Sequence, residues 1–312
     1  MSRMLCVGDV AIEMILPMKH LPLAGTVMEE ERYRFLPGGA CGNAALAMKF
    51  FSLDVAVVSR VGKDGNAARL IRFFTDNGID AETVYTEASL QTALTVVLED
   101  ETDGSIRKLL YRSAAEKISA QDIDRALKKA PDGVYLSPEV SAYIAAHTVA
   151  SCEARDIQVF LDASEERLLR ALSLKGARVK LLYTKDEALA KFTDMAVTDV
   201  GSALKATMTL AQRITADAFV VRMANHSLFL YDGKTYNILM LTDSPMPKPH
   251  AAFADIQSAV LAAQYLKSAS LYQSVGISAI ADRLAREGKG FRIPTPENVR
   301  AYAVKHSLPF IL

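Results

Sequence analysis

Short apolar, β-rich runs alternate with segments of helical periodicity along most of this chain. That alternation confines it to α/β architectures with a largely parallel central sheet. Residues 5–8 form a buried-strand run ending in glycine. Ala44, Ala47, Met48 and Phe51 recur at i, i+3, i+4 and i+7, which predicts a helix after Gly42. Residues 55–59 read as a strand, and Asp64 as the N-cap of a helix whose apolar stripe is Ala67, Leu70, Ile71 and Phe74. Asn77-Gly78 supplies the stop signal for that helix. The plan then repeats: strand 133–137 and helix 140–151, strand 157–161 and helix 165–172, strand 179–183 and helices 185–192 and 199–214. Strand 218–222 leads into strands 227–231 and 235–240, joined at Asp232-Gly233, and helices 255–267 and 271–287 follow.

Two segments break the rhythm. Residues 10–36 and 91–112 have extended or alternating patterns, with turns marked by Pro22, Gly25 and Asp103-Gly104. They are expected to leave the main sheet and build a small separate one. Residues 245–249, Pro-Met-Pro-Lys-Pro, cannot belong to a central strand.

Charge and cysteine usage narrow the function classes. Lys+Arg and Asp+Glu both number 36 in 312 residues, which argues against a nucleic-acid-coating protein or a polybasic membrane binder and leaves room only for a local patch. Cys6, Cys41 and Cys152 lie far apart with no CxxC pair, which argues against a disulfide framework or structural zinc and suits a reducing cytoplasm. The five histidines are never within four positions of one another, so a helical zinc pair is absent. No run approaches the ~20 uncharged residues of a membrane span. The apolar N-terminus is interrupted by Asp9 and Glu13 and reads as a first strand, not a signal peptide.

The segment Leu36-Pro-Gly-Gly-Ala-Cys-Gly-Asn-Ala-Ala45 carries the first chemistry. Paired glycines ahead of a helix allow a sharp turn and close approach of backbone to a ligand. Asn43 offers both a donor and an acceptor, suited to a sugar hydroxyl, or else it faces solvent at an ordinary turn. Cys41 within the turn reads as a small packed thiol.

With its flanks, residues 21–80, this stretch resembles the first signature of the ribokinase-like (PfkB) carbohydrate kinases. The turn Leu21-Pro-Leu-Ala-Gly25, the Gly38-Gly39…Asn43 pattern, Val61-Gly-x-Asp64 and Asn77-Gly-Ile-Asp80 all fall at that family's spacing, and length and element order match from end to end. The resemblance implies one ribokinase-like α/β domain over 1–312: a three-layer α/β/α sandwich with a mainly parallel sheet. It also implies a small β-sheet lid, built from approximately 10–36 and 91–112, that covers a sugar site and supports a homodimer. It implies a sugar substrate, ATP and Mg²⁺, with Glu13, Gly38, Gly39 and Asn43 on the sugar side. Glu13 stands where the family has an aspartate, one methylene shorter.

The second signature departs from the family pattern Asp-Thr-x-Gly-Ala-Gly-Asp. The chain has Pro249-His-Ala-Ala-Phe-Ala-Asp255, so Asp255, the implied general base, is kept while Ala252 and Ala254 replace glycines and Phe253 adds bulk. Alanine keeps its N–H, but a position needing φ > 0 costs it about 1–2 kcal/mol. His250 stands in the same loop, as a phosphate donor or as a plain loop residue. On the nucleotide side the family's Asn-x-x-Glu reads Thr184-Lys-Asp-Glu187, leaving Glu187 to organise Mg²⁺. The family's Thr-x-Gly reads Arg222-Met-Ala224, with Arg222 facing a phosphate or solvent. The leading expectation is an ATP-dependent sugar kinase. The alternative is a sensor or partner subunit on the same scaffold that binds sugar or nucleotide without turnover. A nicotinamide dehydrogenase is disfavoured, because Gly-Gly-Ala-Cys-Gly lacks GxGxxG spacing.

Overall fold

The first strand, β1 (Arg3–Val7), divides its side chains between two cores. Met4 and Cys6 point to one face of the main sheet, Leu5 and Val7 to the other, and all four are buried. The computed structural model describes residues 2–25, 27–30, 32–241, 256–267, 270–287 and 293–310. After β1 come β2 (Ala11–Met18), β3 (Arg34–Gly38), α1 (Ala40–Phe50), β4 (Asp54–Gly62), α2 (Gly65–Asp76), β5 (Val84–Glu87), β6 (Ala93–Asp100) and β7 (Ile106–Tyr111). The middle of the chain holds α3 (Ala120–Leu127), β8 (Gly133–Leu136), α4 (Ala142–Glu153), β9 (Gln158–Asp162), α5 (Glu166–Ser173), β10 (Arg178–Lys185), α6 (Asp186–Thr193) and α7 (Val200–Ala211). The last third holds β11 (Thr215–Arg222), β12 (Leu228–Tyr231), β13 (Tyr236–Leu239), α8 (Ile256–Leu266), α9 (Leu271–Glu287) and α10 (Pro296–Lys305).

Nine strands form the main sheet in the order β13-β12-β11-β10-β9-β8-β1-β4-β5. The joins from β11 through β5 are parallel, and β11-β12 and β12-β13 are antiparallel, the latter pair being the hairpin expected at Asp232-Gly233. Helices α1, α2 and α8–α10 pack on one face and α3–α7 on the other, giving three layers. Leu70 and Phe74, at i and i+4 of α2, are both fully buried. Burial of each such side chain is worth about 1.5–3 kcal/mol, so the stripe read from sequence is what seats the helix.

The two rhythm-breaking segments do build a second sheet, of order β3-β2-β6-β7. Its central pair β2-β6 is parallel and its outer pairs are antiparallel. Because β1 runs through Gly8, Asp9 and Val10 into β2, this sheet stands over the carboxyl end of β1. There the chain order in the main sheet reverses, to β4 on one side and β8 on the other. That crevice is where open α/β sheets bind ligands.

Three α-helices or strands escaped the sequence reading. Helix α3 is started by a Ser119–Asp122 capping box, and β5 is a short edge strand. Helix α10 follows a Thr295–Asn298 capping box with proline in its first turn, so the chain does not close with α9. Its buried residues are only Val299 and Ala303, too thin a stripe to stand out as a period. Helix α1 also starts earlier than expected, at Ala40. Gly39, at φ 82°, makes the turn, and its carbonyl accepts from Asn43 N at 2.9 Å. Among the described residues no helix is long and apolar enough to cross a membrane.

Candidate active site

The turn from β3 into α1 brings Gly38, Gly39 and Asn43 against Glu13 of β2. A side chain on Gly39 would put Cβ 2.6 Å from Asp9 O and 2.8 Å from Ala11 N, so only glycine fits there. A Cβ on Gly38 would lie 2.4 Å from Glu13 Oε1. Glu13 and Asn43 are both buried. Gly39 N–H donates to Glu13 Oε1 at 3.2 Å, and Asn43 Nδ2 donates to the same oxygen at 3.3 Å. Glu13 Oε2 and Asn43 Oδ1 have no hydrogen-bond partner. Burial pushes the Glu13 carboxyl above its usual range, opposed by Lys108 and by the two donors. All four sugar-side residues named from the sequence therefore meet in one cluster.

Two residues of this region were not singled out as site residues. Asp9, just past β1, is buried, and burial pushes its carboxyl up to about 6. Arg112, just past β7, has Nε 3.7 Å from Asp9 Oδ2 and donates from Nη1 to the Glu139 carbonyl at 3.0 Å. Asp9, Ala11, Gly39, Thr95, Arg112 and Glu139 wall a narrow cleft between the two sheets. The signal was present in the sequence: a carboxylate closing an apolar first strand has to be buried at that strand's carboxyl end.

On the other side of the crevice the polar groups close on each other. The Thr184 hydroxyl, fully buried, donates to Ala163 O at 2.7 Å. Ala224 N–H donates to Asp186 Oδ2 at 2.6 Å, and Asp186 Oδ1 accepts from Glu187 N at 2.8 Å. Glu187 itself is exposed. Arg222 is buried and turned toward α9, where Nη2 donates to Asp282 Oδ2 at 3.2 Å and to His226 Nδ1 at 3.1 Å. Accepting at Nδ1 fixes the His226 proton on Nε2, and burial, then Arg222 and Arg286, hold this imidazole below its usual range. Arg286 Nε donates to both Asp282 oxygens at 3.0 Å. Tyr183, also in contact with Arg222, donates to Gln257 Oε1 at 2.9 Å, and Tyr135 shares a 2.9 Å hydrogen bond with Ser258. This buried layer sits under the first turn of α8. Thr184, Arg222 and Ala224 thus lie together at the ends of β10 and β11, with hydroxyl, guanidinium and amide each engaged within the protein. Asp255, Ala252 and Ala254, with His250 and Phe253, lie outside the described residues.

The donor set decides which metal role the chain can support. Among the described residues no three His, Cys, Asp or Glu side chains gather to hold an ion. Mg²⁺ normally keeps several waters and takes one or two carboxylates plus substrate phosphates. The exposed Glu187 carboxylate fits that supporting role and no fuller one.

Comparison with known proteins gives three kinds of match. The family model described as pfkB family carbohydrate kinase matches residues 1–241. A protein of Halopiger xanaduensis named ATP-dependent ribose-1-phosphate kinase is 27% identical over 205 residues, 65% of this chain and 68% of its own. Among solved structures, Arabidopsis thaliana ribokinase complexed with ribose and ATP aligns over 99% of both chains, with a TM-score of 0.77 and 18% identity. Phosphofructokinase-2 from Escherichia coli in complex with fructose-6-phosphate aligns over 98% of this chain and 99% of its own, with a TM-score of 0.81 and 15% identity.

Proposed function

The chain belongs to the pfkB family of carbohydrate kinases, a phosphotransferase family, and from that premise we propose that it phosphorylates a hydroxyl of a sugar or related polyol with ATP, using Asp255 as general base. The observation that carries the reading is the Glu13–Gly39–Asn43 cluster: buried polar groups with open hydrogen-bonding capacity, at the point where the sheet order reverses.

In this reading Gly38 and Gly39 keep the turn tight enough for Glu13 and Asn43 to orient the substrate. Asp255, one residue ahead of α8, accepts the proton of the attacking hydroxyl. The hydroxyl oxygen bonds to the terminal phosphorus of ATP, the bridging P–O bond breaks, and ADP leaves. The start of α8, with the amides of Ala252 and Ala254, faces the developing negative charge. Glu187 would hold Mg²⁺ through water together with the nucleotide phosphates, where the ion would supply neutralising charge to the transferring group. Of the nucleotide-side residues, Glu187 carries the ionic contact; Arg222 reaches a phosphate only beside its pairing with Asp282, while Thr184 and Ala224 shape the strand ends.

The dimer reading rests on the second sheet. Leu109, Leu110 and Tyr111 on one edge strand, β7, are 48%, 48% and 56% exposed, and at the opposite edge Phe35 of β3 and the neighbouring Tyr33 are 42% and 65% exposed. An apolar edge of this kind is suited to a second copy of the chain. Three free, buried cysteines suit a cytoplasmic setting.

A second reading has its own observation. The Thr184 hydroxyl and the Ala224 N–H are already engaged within the chain, which favours a protein that binds sugar and turns over ATP slowly or not at all. A coupled ADP-release screen across pentoses, hexoses, their phosphates and nucleosides separates the two. Turnover abolished by Asp255→Asn supports the kinase; ligand-induced thermal shifts with no ADP from any substrate support the binder.

A further inference from the structure

The sugar-side cluster is not balanced between donors and acceptors. Glu13 Oε1 takes both the Gly39 N–H and one of the two Asn43 Nδ2 hydrogens, so the single amide hydrogen of Gly39 is engaged and one side-chain amide hydrogen of Asn43 is left. What remains open is mainly acceptor: Glu13 Oε2 and Asn43 Oδ1, on side chains each 3% exposed. Thr95, opposite Glu13 in the β2-β6 register, adds a hydroxyl that can play either role.

The charge is unbalanced too. Among the described ion pairs none includes Glu13: Arg112 is directed at Asp9, and Lys108, exposed on β7, acts on Glu13 only as a field. A buried carboxylate is normally paired with a cation. A hydroxyl placed here donates to one acceptor, but its lone pairs find the Gly39 N–H already taken, and an unsatisfied buried polar group is costly. An ammonium has three donors, no lone pair and the complementary charge.

We propose that this site recognises a primary amino group: the substrate is an aminodeoxy sugar or amino polyol whose ammonium lies between Glu13 Oε2 and Asn43 Oδ1, while a separate hydroxyl is phosphorylated. The inference rests on the kinase reading above and names the substrate class of the same site.

The test is equilibrium binding by isothermal titration calorimetry, on the full chain without ATP. The probes are 2-amino-2-deoxyribose, glucosamine and 1-amino-1-deoxyfructose, each beside its hydroxyl parent and its N-acetyl derivative. At least one amine binds tighter than its parent by about ten-fold or more, as expected for a charge-assisted contact. N-acetylation and Glu13→Gln both erase the preference, and Glu13→Asp shifts it toward the parent. Glu13→Gln keeps the side-chain shape, and its thermal melt verifies that it is folded. The inference is overturned if every parent binds as well as its amine, if no amine binds, or if the preference survives Glu13→Gln unchanged. ADP release on the same panel keeps the two levels apart. Turnover without amine preference sinks this inference alone, whereas amine binding with no turnover of any probe sinks the kinase reading and leaves the recognition standing.

Discussion

The carboxyl end of β1 and the carboxyl ends of β10 and β11 both face the crevice of one sheet, yet their buried polar groups are in opposite states. At β1, Glu13 and Asn43 keep two acceptors without partners. At β11, Arg222, Asp282, Arg286, Tyr183 and Gln257 are linked to one another. Unpartnered acceptors can take a donor from a ligand, whereas closed capacity is already met and contributes to the fold. Sequence resemblance marks both places as binding sites. In the proposed reading substrate recognition falls to the first, and the closed network gives the second a large structural share.

The largest effect expected is at Asp255, the proposed general base. Asp255→Asn lowers kcat by about 10²–10⁴, the usual span for a general base. In the proposed reading sugar binding rests on Glu13 and Asn43, so calorimetry is expected to give a sugar affinity within about two-fold of the parent. A parallel collapse of sugar affinity would mean that the two regions are not separable.

Next is the closed network. Asp282 is fully buried between two guanidiniums. Asp282→Asn leaves Arg222 and Arg286 without their counter-charge and destabilises the chain by about 3–5 kcal/mol, read from urea unfolding. Replacing Arg222, Asp282 and Arg286 together by apolar residues of similar volume restores most of that loss. If the triple replacement also leaves the KM for ATP unchanged, Arg222 is structural only and the ionic contact assigned to it falls.

Gly39→Ala tests the open cluster by geometry. The residue sits at φ 82°, and its added Cβ meets Asp9 O at 2.6 Å. The conformational cost and the clash together amount to about 2–5 kcal/mol. Gly65→Ala, where a Cβ meets nothing within 4 Å, is the control and unfolds within about 1 kcal/mol of the parent.

Most of this architecture could be read from the chain because it is written in periods. Alternation gave the parallel strands, and i, i+3, i+4 stripes gave α1, α2 and α8. Helix α10 was missed because Val299 and Ala303 make too short a stripe, although Thr295-Pro296 is a start signal. At the cluster, Gly38, Gly39 and Asn43 stood out because a glycine pair ahead of a helix is a local feature, whereas Glu13 was reached only through the family resemblance. Asp282 and Arg286 were not legible, since they lie 60 and 64 residues from Arg222 and only the fold brings them to it. The engagement of Ala224 N–H by Asp186 was equally hidden: nothing in either segment announces which amide a carboxylate will reach.

Asp9 sharpens the comparison through pH. Burial raises its carboxyl from the ordinary 3.8 to about 6, with Arg112 opposing. In the unfolded chain the proton leaves near 3.8, and in the folded chain it is held until about 6. Between those values the folded state carries the extra proton, so stability from this group is present at low pH and is lost as pH rises through the window. At about 1.4 kcal/mol per pKa unit the loss from pH 4 to pH 7 is about 2–3 kcal/mol. The Asp9→Asn variant carries no such penalty. The difference in unfolding free energy between the two chains, measured in urea at pH 4 and at pH 7, therefore moves in favour of the variant by that amount. A difference that stays flat, or moves toward the parent as pH rises, would show that Arg112 already compensates the Asp9 charge. The cleft beside Glu13 would then be no more open, electrostatically, than the network under α8.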